Sequence, residues 1–185
     1  MVWAPRDRIV EVADSTGPVV SLDDLKQIRR IDHDDEDMIL QGMERAATAA
    51  VERVTQRLLL PRQVVLRLTC LPSRRTPIGL YGGKVQTLTS VVADGAAIEG
   101  AQVFGDSPAL LVPAADWPTV TGEGFPVTIT YTAGVSTVPP DLVQAIKIMV
   151  GAMDFNREAV VMNATVAEVP LGFDYLVSPH RIRPI

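Results

Sequence analysis

The sequence predicts an α+β fold, with a small helical core, an inserted antiparallel β-rich region and an extended C-terminal arm. Before Pro61 and again after Pro140, apolar residues recur every three to four positions, which is the spacing of amphipathic helices. Between these prolines, short apolar runs alternate with Gly, Pro and Asp, which is typical of antiparallel strands joined by turns. We predict one domain, with a helical core over about 20–60 and 139–158, a β-rich insertion over about 62–136 and an arm over about 159–185.

Three helices are expected, over residues 22–29, 34–60 and 140–156. The first has the strongest start signal, because Ser21 can cap it and Val20 can pack on Leu25 as a hydrophobic staple. The last has a narrow polar stripe, so it should be covered on most sides.

Strands are expected only between residues 62 and 133. Their apolar and β-branched residues favour extended structure, and turn signals separate them. The predicted strands cover 64–70, 85–92, 101–104, 109–112 and 127–132.

Charge and cysteine content exclude several classes of protein. The net charge of −5 argues against a general nucleic-acid binder, which would have a basic face. Cys70 is the single cysteine, so an intrachain disulfide is impossible, and we expect it to be buried as a small apolar residue. We find no secretory signal and no apolar run long enough to span a membrane, so we expect a soluble protein made in the cytoplasm.

Known functional motifs do not match. The acidic run 32–37 has Asp37 where a calcium-binding EF-hand loop needs glycine. Gly83-Lys84 is followed by valine instead of the Ser or Thr of a phosphate-binding loop. Residues 105–109 lack the last glycine of a nucleophile elbow.

Candidate catalytic and metal-binding side chains are also scarce. Only His33 and His180 could serve as a histidine base, and neither has a neighbouring carboxylate pattern that distinguishes it. One cysteine and two distant histidines do not make a zinc site. We therefore expect no enzyme activity, no catalytic residue, no metal and no cofactor.

Three stretches together resemble the head–tail connector (adaptor) proteins of long-tailed phages and gene transfer agents. The resemblance spans nearly the whole chain and depends on the order and spacing of the stretches. They are 18–26 with 30–37; Tyr131-Thr132-Ala133-Gly134 with Val138-Pro139-Pro140-Asp141-Leu142 and Asn156-Arg157-Glu158; and Val169-Pro170-Leu171-Gly172 with Ser178-Pro179-His180-Arg181.

This resemblance implies a structural role in the virion, with assembly in the cytoplasm of a bacterial host. The family forms a twelve-membered ring that joins the portal protein to the tail or to a stopper protein. DNA would pass through the channel of such a ring without specific binding. The resemblance implies no catalytic residues and no membrane partner.

The C-terminal segment 159–185 is the candidate interface with the portal or an adjacent subunit. It has little periodicity, one possible helical turn at 170–176 and an extended end from 179. We expect it to add little to the stability of the chain itself. The alternative, that the segment folds back on the helices of its own chain, stays open. The candidate interface residues are Phe173, Tyr175, Leu176, His180, Arg181 and Ile182.

Two other functions compete with the connector. A small-ligand binding or regulatory module could be built on the β-rich region, but it would need a convergent polar pocket. A hydrolase would need a nucleophile and a histidine base in a recognisable pattern, which this sequence lacks.

Overall fold

The computed structural model describes residues 7–15, 17–155 and 171–182. The three expected helices are confirmed, and a fourth follows them. The helices are α1 (Leu22–Arg29), α2 (Asp37–Thr55), α3 (Pro140–Phe155) and α4 (Leu171–Val177).

The strands confirm the expected antiparallel region and extend it. The five predicted strands are present, within two residues at each end. The observed strands are β1 (Arg8–Val12), β2 (Arg62–Leu68), β3 (Ile78–Leu80), β4 (Val85–Ala93), β5 (Ala96–Ala97), β6 (Gln102–Phe104), β7 (Ala109–Val112) and β8 (Val127–Ala133).

The expectation that strands occur only between 62 and 133 is wrong, because β1 lies near the N-terminus. Its five residues pair antiparallel with β2, with Arg8 opposite Leu68 and Val12 opposite Val64. A run this short carries little strand signal of its own. It becomes a strand because β2 supplies a partner edge and Val10 and Val12 pack against the core.

The described chain divides into two compact units. The β unit contains 7–15, 56–136 and residue 182, and the helical unit contains 17–55, 137–155 and 171–181. The β-rich region is therefore inserted between helices in the sequence, and residues 7–15 join it. One domain over 1–185 stays a prediction.

The β unit consists of two antiparallel sheets. One sheet has the strand order β1-β2-β8-β4-β5 and the other has the order β3-β7-β6. Alternate residues of β2 and β8 are buried, as expected for strands with one face on a core. Val64, Leu66, Ile129 and Leu111 are among the buried residues of this core.

Tyr131 is a buried polar side chain in the core of the β unit. Its hydroxyl accepts a hydrogen bond from the Tyr81 backbone N–H at 3.1 Å and donates to the Tyr81 carbonyl oxygen at 3.1 Å. Burial raises the pKa of this phenol, so it stays neutral. The side chain thereby satisfies both backbone groups of Tyr81.

We expect Tyr131→Phe to destabilise the β unit by about 2 kcal/mol, because two partly buried backbone groups of Tyr81 each lose a hydrogen bond. Urea unfolding followed by circular dichroism would measure this loss. Phe125→Leu, which changes a more exposed ring in the same unit, is the control and should stay within about 0.5 kcal/mol. A Tyr131→Phe protein as stable as the parent would contradict this role of the hydroxyl.

The helical unit begins at the predicted cap. Ser21 Oγ accepts a hydrogen bond from the Asp24 N–H at 3.1 Å, and both staple residues, Val20 and Leu25, are buried. α2 ends at Thr55, five residues before the predicted end, and Gln56 has a left-handed φ of 57°. The helix therefore ends well before Pro61 can interrupt it.

Cys70 is exposed, so the expectation that it is buried is wrong. β2 ends at Leu68, and Cys70 lies two residues beyond the end of the strand. The alternation that buries Val64, Leu66 and Leu68 no longer applies once the strand has ended.

Candidate interaction surfaces

The helix α4 packs against α3 and α2 in the helical unit. A Cβ atom on Gly172 would lie 3.9 Å from Ile148 Cδ1, and His180 reaches Asp141 at the start of α3. The C-terminal segment therefore runs antiparallel to α3. Phe173 and Val177 lie four residues apart, on one face of α4, and both are buried.

Two side-chain contacts hold the end of this segment. The His180 ring is hydrogen-bonded to the Asp141 carboxylate, and this bond holds the pKa of Asp141 below its usual range. Arg181 Nη2 lies 3.0 Å from Asp174 Oδ1, within the segment itself. Sequence pattern does not indicate the contact between His180 and Asp141, because 39 residues separate them.

The expectation of an extended end from residue 179 needs correction. Residues 171–177 are helical and Ser178–His180 form a 3-10 turn. The possible helical turn at 170–176 is confirmed as a two-turn helix over Leu171–Val177, while residues 159–170 and 183–185 lie outside the described part. The physical reason is that α3 offers an apolar surface on which Phe173 and Val177 can be buried.

The six candidate interface residues have different environments. Phe173 is buried by the chain itself, and Leu176, His180 and Ile182 are partly buried. Arg181 is exposed but paired, and Tyr175 has 82% of its surface exposed. Their role in an interface stays a prediction, and Tyr175 is the apolar member that is open to a partner.

Further exposed apolar side chains lie outside the C-terminal segment. In the helical unit they are Ile28, Met38, Ile39 and Phe155, and in the β unit they are Ile9, Phe104 and Phe125. The sequence pattern did not identify these surfaces. Ile39 is 41% exposed because it lies off the buried face of α2, which contains Leu40, Ala47 and Val51.

The described residues offer little for chemistry on a small molecule. No group of three or more His, Cys, Asp or Glu side chains in that part of the chain could hold a metal ion. A cavity of about 210 Å³ is lined by Leu88–Val91 and Ala97–Ala101 in the β unit. Ligand sites usually have about 300–1,000 Å³, so this cavity gives weak support to a ligand-binding module.

Among the helices of the described ranges, none has the length and apolar character of a membrane span.

These elements define an α+β protein in which a β unit is inserted between the helices of a helical unit. Its fold is similar to that of a chain in the neck of an empty gene transfer agent particle computed with C6 symmetry. The TM-score is 0.77 at 22% sequence identity, over 95% of this chain and 97% of that chain.

Two further solved structures contain similar chains. One is the virion of a native gene transfer agent particle, with a TM-score of 0.73, 22% identity and coverage of 94% of this chain and 96% of that chain. The other is the neck of a native particle computed with C12 symmetry, with a TM-score of 0.69, 24% identity and coverage of 95% and 97%. No family model and no curated protein sequence matches this chain. At these identities the likeness establishes the fold.

Proposed function

We propose that this protein is a structural subunit of the neck of a tailed phage or gene transfer agent particle. In this role it is a head–tail connector, or adaptor, that forms a ring and joins the portal protein to the tail or to a stopper protein. It acts in the virion after assembly in the host cytoplasm, and it is not an enzyme.

The observation that carries this proposal is the extent of the structural likeness. The structural match covers 95% of this chain and 97% of the neck chain, which is almost the whole length of both. A shared fold supports several functions in general, so the likeness needs an independent argument. That argument is the ordered set of sequence stretches that resembles the connector family.

Symmetry and charge support the ring. The neck structures with similar chains were computed with C6 and C12 symmetry, which favours a twelve-membered ring for this chain. DNA would pass through its channel. The net charge of −5 would keep that DNA from binding tightly, since like charges repel over about a Debye length, roughly 8 Å at physiological salt.

The test is to image particles from cells that lack the chain by cryo-electron microscopy. We expect filled heads without tails, because the portal would lack the ring on which a tail docks. Restoring the chain with an added density label should restore the tails and place the label in the neck. Normal tailed particles without the chain would contradict the proposal.

Tyr175→Ser tests the part that the C-terminal segment plays in this assembly. Its ring is exposed, so we expect the variant to change the melting temperature by less than about 2 °C, as a surface substitution should. Incorporation into the neck, measured by quantitative immunoblotting of purified particles, should fall several-fold, because large aromatic residues anchor protein interfaces. Gln144→Ser, an exposed position on α3, is the control and should be incorporated normally. Normal incorporation of Tyr175→Ser would contradict an interface at this residue.

A further inference from the structure

Ion pairs bring three helix ends together in the helical unit. Arg29, the last residue of α1, pairs with Asp154 near the end of α3. Lys26 Nζ lies 2.5 Å from Asp34 Oδ1 and 2.6 Å from Asp37 Oδ1, at the start of α2. The end of α1, the start of α2 and the end of α3 therefore lie at one end of this unit.

Exposed apolar side chains occur beside each of these ion pairs. Ile28 precedes Arg29, Met38 follows Asp37 and Phe155 follows Asp154 in the sequence. Met38 and Phe155 are 84% and 81% exposed, and Ile39 beside Met38 is also exposed. We call Ile28, Met38, Ile39 and Phe155 the apolar end. Exposed large apolar residues at one end of a unit are typical of a surface that another protein covers.

The apolar end has an acidic border. Five of the six residues in 32–37 are acidic, and Asp32, Asp34 and Asp35 are exposed. Asp34 and Asp37 are neutralised in part by Lys26, whereas Asp35 lies 3.8 Å from His33. A partner for this surface must combine apolar contact with positive charge, and arginine supplies both through its methylene stem and its guanidinium group.

The exposed side of α2 has the complementary charge. After residue 37 the helix contains two carboxylates, Glu44 and Glu52, and both are buried. It contains two arginines, Arg45 and Arg53, and both are exposed. They are eight residues apart, which is about two helical turns, so they lie on the same side of α2. We call Arg45 and Arg53 the arginine face.

We propose that the apolar end of one copy of this chain docks on the arginine face of the next copy, and that this contact repeats around the ring. The inference rests on the proposed neck function. The two surfaces are different parts of one chain. Each copy can therefore contact one neighbour through its apolar end and the opposite neighbour through its arginine face. Contacts of this heterologous kind generate a closed ring when the rotation between copies closes.

Charge complementarity identifies a second copy as the occupant. The carboxylates Asp32 and Asp35 of the acidic border would face Arg45 and Arg53, while Met38 and Phe155 are removed from water. Complementary potentials of this kind fix the register of a contact and suppress wrong partners. Salt should weaken the contact, because exposed charges are screened over about 8 Å at physiological ionic strength.

Charge reversal in two variants of the full chain tests the contact. The first variant is Asp32→Lys/Asp35→Lys, and the second is Arg45→Glu/Arg53→Glu. Sedimentation velocity and native mass spectrometry of the purified proteins measure self-association over a range of concentration and salt. Glu99→Lys/Glu123→Lys, which reverses two exposed carboxylates of the β unit, changes the net charge as much as the first variant and is its control.

We expect the parent chain and the control to form rings at high concentration. Each reversal variant alone should associate at least about tenfold more weakly, because like charges then face each other. An equal mixture of the two variants should form rings again, with the variants alternating, because each contact regains opposite charges. Met38→Ser should also weaken rings of the parent chain, through lost apolar contact alone.

The inference would be overturned by a parent chain that stays monomeric at every concentration, or by a control that associates as weakly as the reversal variants. It would also be overturned by a mixture of the two variants that does not regain rings or that stops at dimers. Particle imaging separates this inference from the neck function. Rings in solution but no chain in the neck would contradict the neck function alone. Normal incorporation of both reversal variants into necks would contradict the contact alone.

Discussion

Replacing Gly134 by alanine is expected to unfold the β unit under conditions where the parent chain is stable. Gly134 follows the last residue of β8 and has a φ of 129°, in the region that favours glycine. An added Cβ atom would overlap the carbonyl oxygen of Leu60 and lie 2.8 Å from the Pro61 nitrogen. Both obstacles are backbone atoms, so they cannot rotate away. Backbone strain of about 1–3 kcal/mol adds to this overlap, so the total loss should exceed about 4 kcal/mol.

Urea unfolding of the β unit would measure this effect through the fluorescence of Trp117, which is buried in the unit, in a Trp3→Phe background. Gly124→Ala is the matched control, because its φ is 73° and nothing lies within 4 Å of an added Cβ atom. This control measures the cost of placing alanine at a left-handed φ without any overlap, which should be about 1–2 kcal/mol. If the two substitutions cost the same, the close approach to Leu60 would have no energetic role.

Replacing Glu44 by alanine is expected to cost the helical unit about 3–4 kcal/mol. Glu44 Oε1 accepts hydrogen bonds from the backbone N–H groups of Val19 and Val20, at 2.8 and 3.2 Å, and from the Thr48 hydroxyl at 3.0 Å. Its side chain is 2% exposed, so water cannot replace these bonds without a rearrangement. Alanine would leave all three donors without their acceptor, two of them on the segment that leads into α1.

The loss of helical circular dichroism with urea would measure this effect. Glu44→Gln keeps one oxygen in place without the charge, so we expect it to cost roughly half as much. Glu123→Ala, an exposed carboxylate of the β unit, is the control and should stay within about 0.5 kcal/mol. A Glu44→Ala protein with the stability of this control would contradict the role of Glu44 as an anchor for the start of α1.

These two positions explain features of the sequence that pattern alone left unexplained. Gly134 ends the Tyr131-Thr132-Ala133-Gly134 stretch because a side chain there would overlap Leu60. A carboxylate on an amphipathic helix is expected on the exposed face, yet Glu44 is buried because the chain entering α1 presents two backbone donors to it. The partners, Leu60 for Gly134 and the backbone of Val19 and Val20 for Glu44, are distant in sequence. Periodicity does not reveal such contacts.

The interaction surfaces were harder to predict than the elements. Apolar spacing predicted the helices that contain Ile39 and Phe155, but spacing does not tell which apolar residues of a helix stay exposed. Conversely, Phe173 had no evident local partner in the sequence, and the structure buries it where α4 packs on α3 and α2. The contact between His180 and Asp141 could not be predicted either, because no local sequence pattern links the two residues.

The sequence by itself determined the α+β class, the position of three helices and the antiparallel character of the region between them. These features follow from local causes: caps, prolines, and apolar periods of 3.6 and two residues. Only the tertiary structure decided that Arg8–Val12 is a strand, that Leu171–Val177 is a docked helix and that Glu44 is buried. A short strand needs a neighbour's backbone groups, a short helix needs an apolar surface to cover, and a buried carboxylate needs donors from another segment. These partners are supplied by chain folding, so the order of residues along one segment does not reveal them.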